Sequence, residues 1–314
     1  MKISSIIRAL ACATVLLYWP AAQASVWTVG DLYSSTAFSS TIRHYDAKGN
    51  YLDSLTLGAA YGDDVKGMAF GANGLLYAVS SKDRDMAVTA LDSEGKVHAT
   101  YSGPGFIAGD LSYGNIAFGR NGQFYVAGAE NLVAFTPGDR VGRVIYQNNQ
   151  VYDVQVLPSG NLMVLTVDAL EEITPSGQWV RSINAPWLSY GRGLEYDPVN
   201  NDLFVTMVGS PGSFFQLTRV DGTTGEVEAT SSYWYGADLL LTDARELIVG
   251  SQAQAAGLFD LNLNFQGTLP GDADIFLAQY VRPAFAVPAP ASAALLLAGL
   301  AALLATRRRH LHAR

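Results

Sequence analysis

Three aspartates and an asparagine stand at equivalent places in segments that repeat along this chain. Each place lies seven residues before the glycine, or its counterpart, in a short turn. In chain order these places hold Gly67, Asn115, Asp153, Gly193, Asp238 and, as the expected sixth, Asp274. Carboxylate and amide oxygens suit Ca²⁺ or Mg²⁺, and three converging carboxylates repel one another unless a cation lies between them. The pattern predicts that Asn115, Asp153, Asp238 and Asp274 surround one mouth of a channel, where they are candidate ligands for Ca²⁺ or another divalent cation.

A second interpretation of the same four residues needs no metal. Asp and Asn are common where strands begin, because their side chains bond neighbouring backbone amides. They then act as caps, or as polar residues that line a solvated pore.

Aromatic residues form a second candidate binding group, in two segments just before inner strands. They are Trp187, Tyr190, Tyr233, Trp234 and Tyr235. Flat aromatic faces on loops stack on sugar rings, whereas the same side chains between sheets serve as packing. Both roles stay open at this point.

Thiol and histidine chemistry have little support. Cys12 is the only cysteine, which excludes a disulfide framework and a cysteine-based zinc site. Between the terminal segments the histidines are His44 and His98, each beside a turn.

The elements that position these residues are repeated hairpins. An apolar strand, a turn and a second strand recur in five places, with Asn73-Gly74, Asn121-Gly122 and Ser159-Gly160 as turn signals. A second series of turns begins at Asp46, Asp92, Thr136, Thr174, Asp221 and Asp260, roughly every forty residues. Two hairpins per period predict the four-stranded blade of a β-propeller.

The number of blades follows from the unequal count of turns. The first outer turn, at Asp46, has no inner strand before it, and Asp274–Val281 is a strand-like candidate at the other end. Pairing it with Val26–Val29 would complete a sixth blade and remove the exposed strand edges. We therefore predict an all-β, six-bladed β-propeller closed by N- and C-terminal strands. A seven-bladed ring and two smaller sandwiches are the alternatives.

The repeated pattern, Gly-apolar-Ala-aromatic followed by a turn and apolar-Tyr-Val, is similar to the NHL and SMP-30-like propellers. Gly67–Phe70 and Leu76–Val79 show it clearly. Those families include lactone hydrolases, lyases and many non-catalytic binding modules. In SMP-30-like enzymes a divalent ion held by Glu, Asn and Asp activates water, so the resemblance implies Asn115, Asp153 and Asp238 as possible counterparts. The family's N-terminal glutamate has no clear equivalent before Asp46.

The first residues are typical of a secretory signal peptide. Lys2 and Arg8 give a basic start, Ile6–Leu17 is mostly apolar, and Ala22 and Ala24 fit the two small positions of a cleavage site before Ser25. The alternative is a lipoprotein signal at Cys12.

The last residues resemble the PEP-CTERM sorting signal. Its parts are Val287, Pro288 and Pro290, an apolar run Ala291–Ala305, and Arg307, Arg308 and Arg309. In that family a membrane exosortase of Gram-negative bacteria removes the tail, and the cargo reaches the surface or the exopolysaccharide matrix. Ala289 stands where glutamate is usual. An ordinary C-terminal transmembrane anchor is the alternative.

These observations predict a signal peptide over 1–24, a propeller over 25–283 and a transmembrane sorting signal over 284–314. The terminal segments hold six of the 20 Lys and Arg and none of the 28 Asp and Glu, so the body carries a net charge of −14. Such a surface repels nucleic acids. We expect an exported protein, anchored first in the inner membrane and then at the cell surface or in the matrix, that binds carbohydrate or protein without catalysis. The alternative is a metal-dependent SMP-30-like hydrolase or lactonase.

Overall fold

The described part of the chain is an all-β ring. The computed structural model describes residues 27–280 except 37, 59, 61, 84, 104, 107–113, 120, 149, 209–214, 234–235, 252–253 and 274–275. Within these residues, 24 strands form six four-stranded antiparallel sheets, and each sheet is one blade. Inner strands of consecutive blades contact one another all the way round, which confirms six blades and excludes the seven-bladed and two-sandwich alternatives.

Each blade has four strands, and their order runs from the channel outwards. Blade 1 holds β24 (Phe276–Gln279), β1 (Leu32–Ser35), β2 (Thr41–Tyr45) and β3 (Tyr51–Thr56). Blade 2 holds β4 (Asp64–Phe70), β5 (Leu76–Lys82), β6 (Asp85–Leu91) and β7 (Val97–Tyr101). Blade 3 holds β8 (Ile116–Phe118), β9 (Phe124–Ala127), β10 (Asn131–Phe135) and β11 (Arg143–Gln147).

The second half of the ring follows the same order. Blade 4 holds β12 (Val151–Val156), β13 (Leu162–Thr166), β14 (Leu170–Ile173) and β15 (Trp179–Ile183). Blade 5 holds β16 (Gly191–Asp197), β17 (Asp202–Val208), β18 (Phe215–Asp221) and β19 (Val227–Tyr233). Blade 6 holds β20 (Gly236–Leu241), β21 (Leu247–Ser251), β22 (Ala255–Phe259) and β23 (Phe265–Ala273).

The ring closes through strands from both ends of the chain, as predicted, but with a different N-terminal partner. β24 pairs with β1, with Phe276 opposite Ser35 and Gln279 opposite Leu32. The predicted partner, Val26–Val29, was wrong. The chain turns at Gly30, which has a φ of 93°, and the strand begins only at Leu32. A left-handed φ of this kind interrupts a strand, so pairing shifts beyond the turn.

Positive φ angles recur at the inner turns, as the sequence predicted from their glycines. Gly74, Gly122 and Gly160 occupy this conformation in blades 2 to 4. In blade 6 a non-glycine residue, Arg245, has a φ of 62°. Its guanidinium donates two hydrogen bonds to Asp197 of blade 5, at 3.0 Å and 2.7 Å. This bidentate pair joins two neighbouring blades and helps to hold an otherwise unfavourable backbone.

The outer turns show why aspartate recurs there. Asp46 Oδ1 accepts hydrogen bonds from the backbone amides of Lys48 and Asn50, and its Oδ2 accepts one from Asn50 Nδ2. Asp260 makes the same set of bonds with Asn262 and Asn264. These bonds satisfy the backbone where the chain reverses.

The hydrophobic core lies between neighbouring sheets. One cluster, for example, combines Val79 and Val88 of blade 2 with Val126 and Val133 of blade 3, all fully buried. Because every blade packs on both sides, strands in the middle of a blade are apolar on both faces. The inner strands are left to line the channel, and this places polar side chains there.

Candidate functional site

Asn115, Asp153 and Asp238 meet inside the channel. Asn115 precedes β8 in blade 3, Asp153 belongs to β12 in blade 4, and Asp238 belongs to β20 in blade 6. All three are buried, with exposed fractions of 7%, 1% and 5%. We call these three residues the channel clasp.

The amide of Asn115 joins the two carboxylates. Its Nδ2 donates to Asp153 Oδ2 at 2.7 Å and to Asp238 Oδ1 at 3.0 Å. Blades 3 and 6 are opposite each other in a ring of six, so the bond from Asn115 to Asp238 crosses the channel. The clasp therefore bridges the channel at this level.

Backbone amides satisfy the remaining carboxylate oxygens. Asp153 accepts from Val154 N through Oδ1 and from Leu194 N through Oδ2, both at 2.6 Å. Asp238 accepts from Leu239 N through Oδ1 and from Leu277 N through Oδ2, both at 2.9 Å. Leu194 and Leu277 belong to the next blade in each case, so each aspartate ties its own inner strand to the following one.

Steric contact with the next blade explains why the predicted ring has glycine at two of its positions. A Cβ at Gly67 would overlap the carbonyl oxygen of Gly114, and a Cβ at Gly193 would overlap that of Ala237. At these two places the inner strand lies too close to the next blade for any side chain. The polar ring is therefore interrupted in blades 2 and 5 by backbone contact.

The sixth predicted residue, Asp274, lies outside the described residues. The hydrogen bonds identify the matching position in blade 1, because Leu277 N bonds Asp238 as Leu194 N bonds Asp153. Leu194 follows Gly193, so Phe276 occupies the equivalent place, and Phe276 is buried.

A pocket of about 290 Å³ lies along the inner strands beside the clasp. We call it the channel pocket. Its polar lining is Asn115, Asp153, Gln155, Glu195, Asp238 and Gln279. Its apolar lining includes Met68, Phe70, Phe118, Val156, Leu240 and Leu277. The described lining residues include three carboxyl groups and no lysine, arginine or histidine.

Glu195 is the third of these carboxyl groups. It lies two residues beyond Gly193 on the same strand, is half-buried, and accepts a hydrogen bond from Gln155 Nε2 at 3.0 Å. Gln155 also donates to the carbonyl of Leu194, which fixes its amide. Glu195 additionally accepts a bond from the backbone amide of Leu241.

Burial disfavours the charged forms of the three acids, and repulsion from neighbouring carboxylates adds to this effect at Asp153 and Glu195. Burial, and then the charge of Asp238, raise the pKa of Asp153 well above its usual value. Burial raises the pKa of Asp238, against the opposing effect of its three hydrogen-bond donors. Burial, and then the charges of both aspartates, raise the pKa of Glu195 well above its usual value. A positive charge in the channel pocket would offset this penalty and lower the pKa values of these acids.

The clasp does not fit a divalent cation as it is arranged. A metal needs free oxygen lone pairs at 2.3–2.6 Å for Ca²⁺, but each clasp carboxylate already accepts three hydrogen bonds, which leaves about one of its four lone-pair sites free. Asn115 presents its NH₂ group to both acids, and turning the amide would bring an oxygen against two carboxylates. Among the described residues, no group of three or more His, Cys, Asp and Glu is placed to hold a metal ion.

Of the five predicted aromatic side chains, the structure describes those of Trp187 and Tyr190. Trp187 is half-buried against the core, and its Nε1 donates to the carbonyl of Gly225 at 3.3 Å. Tyr190 is 56% exposed with a φ of 51°. Tyr233 ends β19, but its side chain is outside the described part, as are Trp234 and Tyr235. Trp187 has the contacts of a packing residue, and Tyr190 those of a surface residue.

Sequence reasoning missed Gln155 and Glu195. Both lie two residues after a predicted ring position, at Asp153 and Gly193. Side chains two apart on a strand share one face, so the alternation along β12 and β16 was the available signal.

The remaining predicted residues belong to the chain ends. Ala22 and Ala24 of the cleavage site lie outside the described residues, and so do the sorting-signal residues Val287, Pro288, Pro290, Arg307, Arg308 and Arg309. Within the part of the chain that is described, no helix is long and apolar enough to span a membrane.

Comparisons with known proteins show the fold. No protein-family model matches the chain, and a search of curated proteins returned no significant match. The structure is similar to one in a nidogen/laminin complex, with a TM-score of 0.62, 13% identity, and coverage of 80% of this chain and 98% of that one. TolB from Acinetobacter baumannii gives a TM-score of 0.60, 13% identity, and coverage of 79% and 66%.

A protein of unknown function from Bacteroides caccae gives a TM-score of 0.58, 12% identity, and coverage of 80% and 98%. At such identities the similarity establishes architecture and not activity. By its own strand pairing and by these comparisons, the described chain is a β-propeller.

Proposed function

We propose that this chain is an exported β-propeller that binds polysaccharide or another protein at the cell surface or in the extracellular matrix, without catalysing a reaction. The observation that carries the proposal is the channel clasp. Asn115, Asp153 and Asp238 are the residues that resemblance to SMP-30-like enzymes would assign to a catalytic metal. In this chain their hydrogen bonds join five of the six blades at the channel.

The charge of the propeller indicates which partners suit it. A net charge of −14 over the body repels anionic polymers. Neutral and cationic partners meet no such barrier. We therefore expect the chain to bind a neutral or cationic polysaccharide more tightly than an anionic one at low salt.

Affinity electrophoresis of the purified full chain tests this expectation. Gels would contain dextran, chitosan or alginate as neutral, cationic and anionic probes. Retardation by dextran or chitosan, and none by alginate, is the expected result. Retardation by alginate alone would contradict the charge argument.

A metal-dependent hydrolase or lactonase is the second candidate. The observation that favours it is the convergence of Asp153, Asp238 and Glu195, whose raised pKa values a bound cation would lower. Turnover of a lactone panel with Ca²⁺ and with chelator tests this alternative. Calcium-dependent turnover that Asp153→Ala abolishes would establish the enzyme and defeat the binding-only proposal.

Thermal melting gives an independent check on the metal. A ligand that binds only the folded state raises the melting temperature by mass action. We expect Ca²⁺ and chelator to give the same melting temperature, because the clasp oxygens already have partners. A rise with Ca²⁺ that disappears in Asp238→Asn would support the enzyme.

Delivery to the surface is proposed from the terminal segments. Cleavage before Ser25 and removal of the tail by an exosortase-type enzyme would release the propeller from the inner membrane. The mass of the surface form tests this. A species that ends near Pro290 is expected, and one that retains Arg314 would indicate an ordinary anchor.

A further inference from the structure

Glu195 is the carboxyl group of the channel pocket that the clasp does not use. It lies on β16, outside the Asn115 network, and is half-buried. Gln155 Nε2 and the backbone amide of Leu241 hold it in place. It is thus a positioned carboxylate that still faces the pocket.

The wall of the pocket carries two aromatic rings that their neighbours hold in place. Phe70 packs edge to face on Trp27 at 5.1 Å and on Tyr280 at 5.0 Å between ring centroids. Phe118 packs in the same way on Tyr77 at 4.9 Å. Phe70 comes from blade 2, opposite the blade of Glu195, so the carboxylate and this ring approach the pocket from opposite sides.

The dimensions of the pocket limit what enters it. Its volume of about 290 Å³ equals the volume that roughly ten water molecules occupy in the liquid, at about 30 Å³ each. That space holds a small molecule or one terminal group, but not a folded polymer segment. Specific small-molecule sites combine apolar walls with a few placed polar groups, and the channel pocket has both.

The charge of the pocket selects the sign of its occupant. Asp153, Asp238 and Glu195 lie in the lining, and no described lining residue carries a positive side chain. An anion would be repelled, and a small divalent ion would find about one free lone-pair site on each clasp carboxylate. An organic cation needs only one accessible carboxylate, and its carbon atoms suit the apolar wall. Aromatic faces attract such cations further.

We propose that the channel pocket binds a small alkylammonium ion, with Glu195 as its counter-ion and Phe70 and Phe118 against its alkyl groups. This inference rests on the proposed binding function and names the ligand class of the channel. Glu195 contacts the charge, while the clasp forms the floor beneath it. The ligand leaves the pocket chemically unchanged.

Calorimetric titration of the full chain with choline tests the charge requirement. The neutral probe is 3,3-dimethylbutan-1-ol, which has nearly the same shape without the charge. We expect choline to bind and the alcohol to bind at least about tenfold more weakly, since loss of one close charge pair costs that much or more. Equal affinity for both probes, or no binding of choline, would overturn the proposal.

Glu195→Gln tests the residue. It keeps the size of the side chain, removes its charge and replaces one carboxylate oxygen by an NH₂ group. The matched control is Glu226→Gln, the same change at an exposed outer turn. We expect roughly tenfold weaker choline binding in Glu195→Gln and wild-type affinity in Glu226→Gln. Wild-type affinity in Glu195→Gln would place the cation elsewhere and refute the assignment.

A second variant keeps the test decisive if Glu195→Gln folds poorly. Phe118→Leu removes an aromatic face and leaves the charge, so we expect choline binding to weaken about threefold, with the alcohol unaffected. Unchanged choline binding in this variant would contradict the role of the ring. Failure of these titrations is distinguishable from failure of the proposed function, which would appear as Asp153-dependent lactone turnover.

Discussion

Replacing Asn115 by leucine removes the central donor of the clasp and keeps the branching of the side chain, with two methyl groups in place of the amide oxygen and nitrogen. Asp153 and Asp238 then keep their backbone donors but lose the amide that joins them. Each hydrogen bond to a charged group contributes about 1.5–3 kcal/mol, so two lost bonds set an upper range of about 3–6 kcal/mol. Protonation of one aspartate relieves part of this loss. We expect the free energy of unfolding to fall by about 3 kcal/mol at neutral pH.

The loss should depend on pH with a definite sign. Burial already raises the folded-state pKa of both aspartates above the unfolded values. Between those values the folded state holds more protons, so stability falls as pH rises. Without the amide the folded-state pKa values rise further, because a donor to the charged forms is gone. The difference between wild type and Asn115→Leu should therefore grow from about pH 5 to about pH 8.

Urea unfolding followed by tryptophan fluorescence measures both effects. The matched control is Asn264→Leu, which also removes an Asn-to-Asp hydrogen bond of 2.8 Å, but in an exposed outer turn. The control should show little change, because water replaces the lost donor. A loss below about 1 kcal/mol in Asn115→Leu, or equal losses in both variants, would mean that the clasp does not stabilise the ring.

Three further predictions concern other contacts of the ring. Gly193→Ala forces a Cβ against the carbonyl of Ala237, so melting should show a loss of about 1–3 kcal/mol; Gly119→Ala, whose nearest contact is 3.4 Å, is the control and should lose less. Burial raises the pKa of Asp197, but hydrogen bonds from Arg245 and from backbone amides outweigh burial and lower it. The stabilisation that these bonds give to the folded state is present at neutral pH and is lost as pH falls through the folded-state pKa. The melting temperatures of wild type and Asp197→Asn should therefore differ near pH 7 and begin to converge below about pH 4, and a constant difference down to the folded-state pKa would contradict this. The pKa of Glu195 is raised, so choline should bind more weakly in calorimetry at about pH 5 than at about pH 8, and stronger binding in acid would be inconsistent with a carboxylate counter-ion.

The repeated turns explain why the ring was predictable. Each turn needs a residue that tolerates positive φ or an aspartate that bonds the backbone, and both leave a clear pattern at Gly74 or Asp46. The period then determines the number of blades. The partner of β24 was less predictable, because Gly30 moved the start of β1 by a few residues.

The clasp was only partly predictable. Equivalent positions on inner strands must approach one axis, which brings Asn115, Asp153 and Asp238 together. The sequence does not encode the width of the channel, and that width decides whether Asn115 reaches Asp238 across the ring or leaves space for an ion. The sequence also does not show the close contact with Gly114 that requires glycine at position 67.

The channel pocket was not predictable from the sequence. The alternation of residues along its strands is visible there, but alternation alone does not indicate a pocket. Glu195 and Gln155 follow ring positions by two residues, and many solvent-exposed strands have the same pattern. Only their hydrogen bond and the neighbouring aromatic wall distinguish them.

A high-resolution crystal structure of the full chain, grown with millimolar Ca²⁺ and with choline, would distinguish a hydrogen-bonded clasp from a metal centre. We expect Asn115 Nδ2 within hydrogen-bond distance of both aspartates, and choline beside Glu195. A calcium ion at about 2.3–2.6 Å from Asp153 and Asp238, with the Asn115 oxygen turned towards it, would contradict the clasp and favour a metal centre.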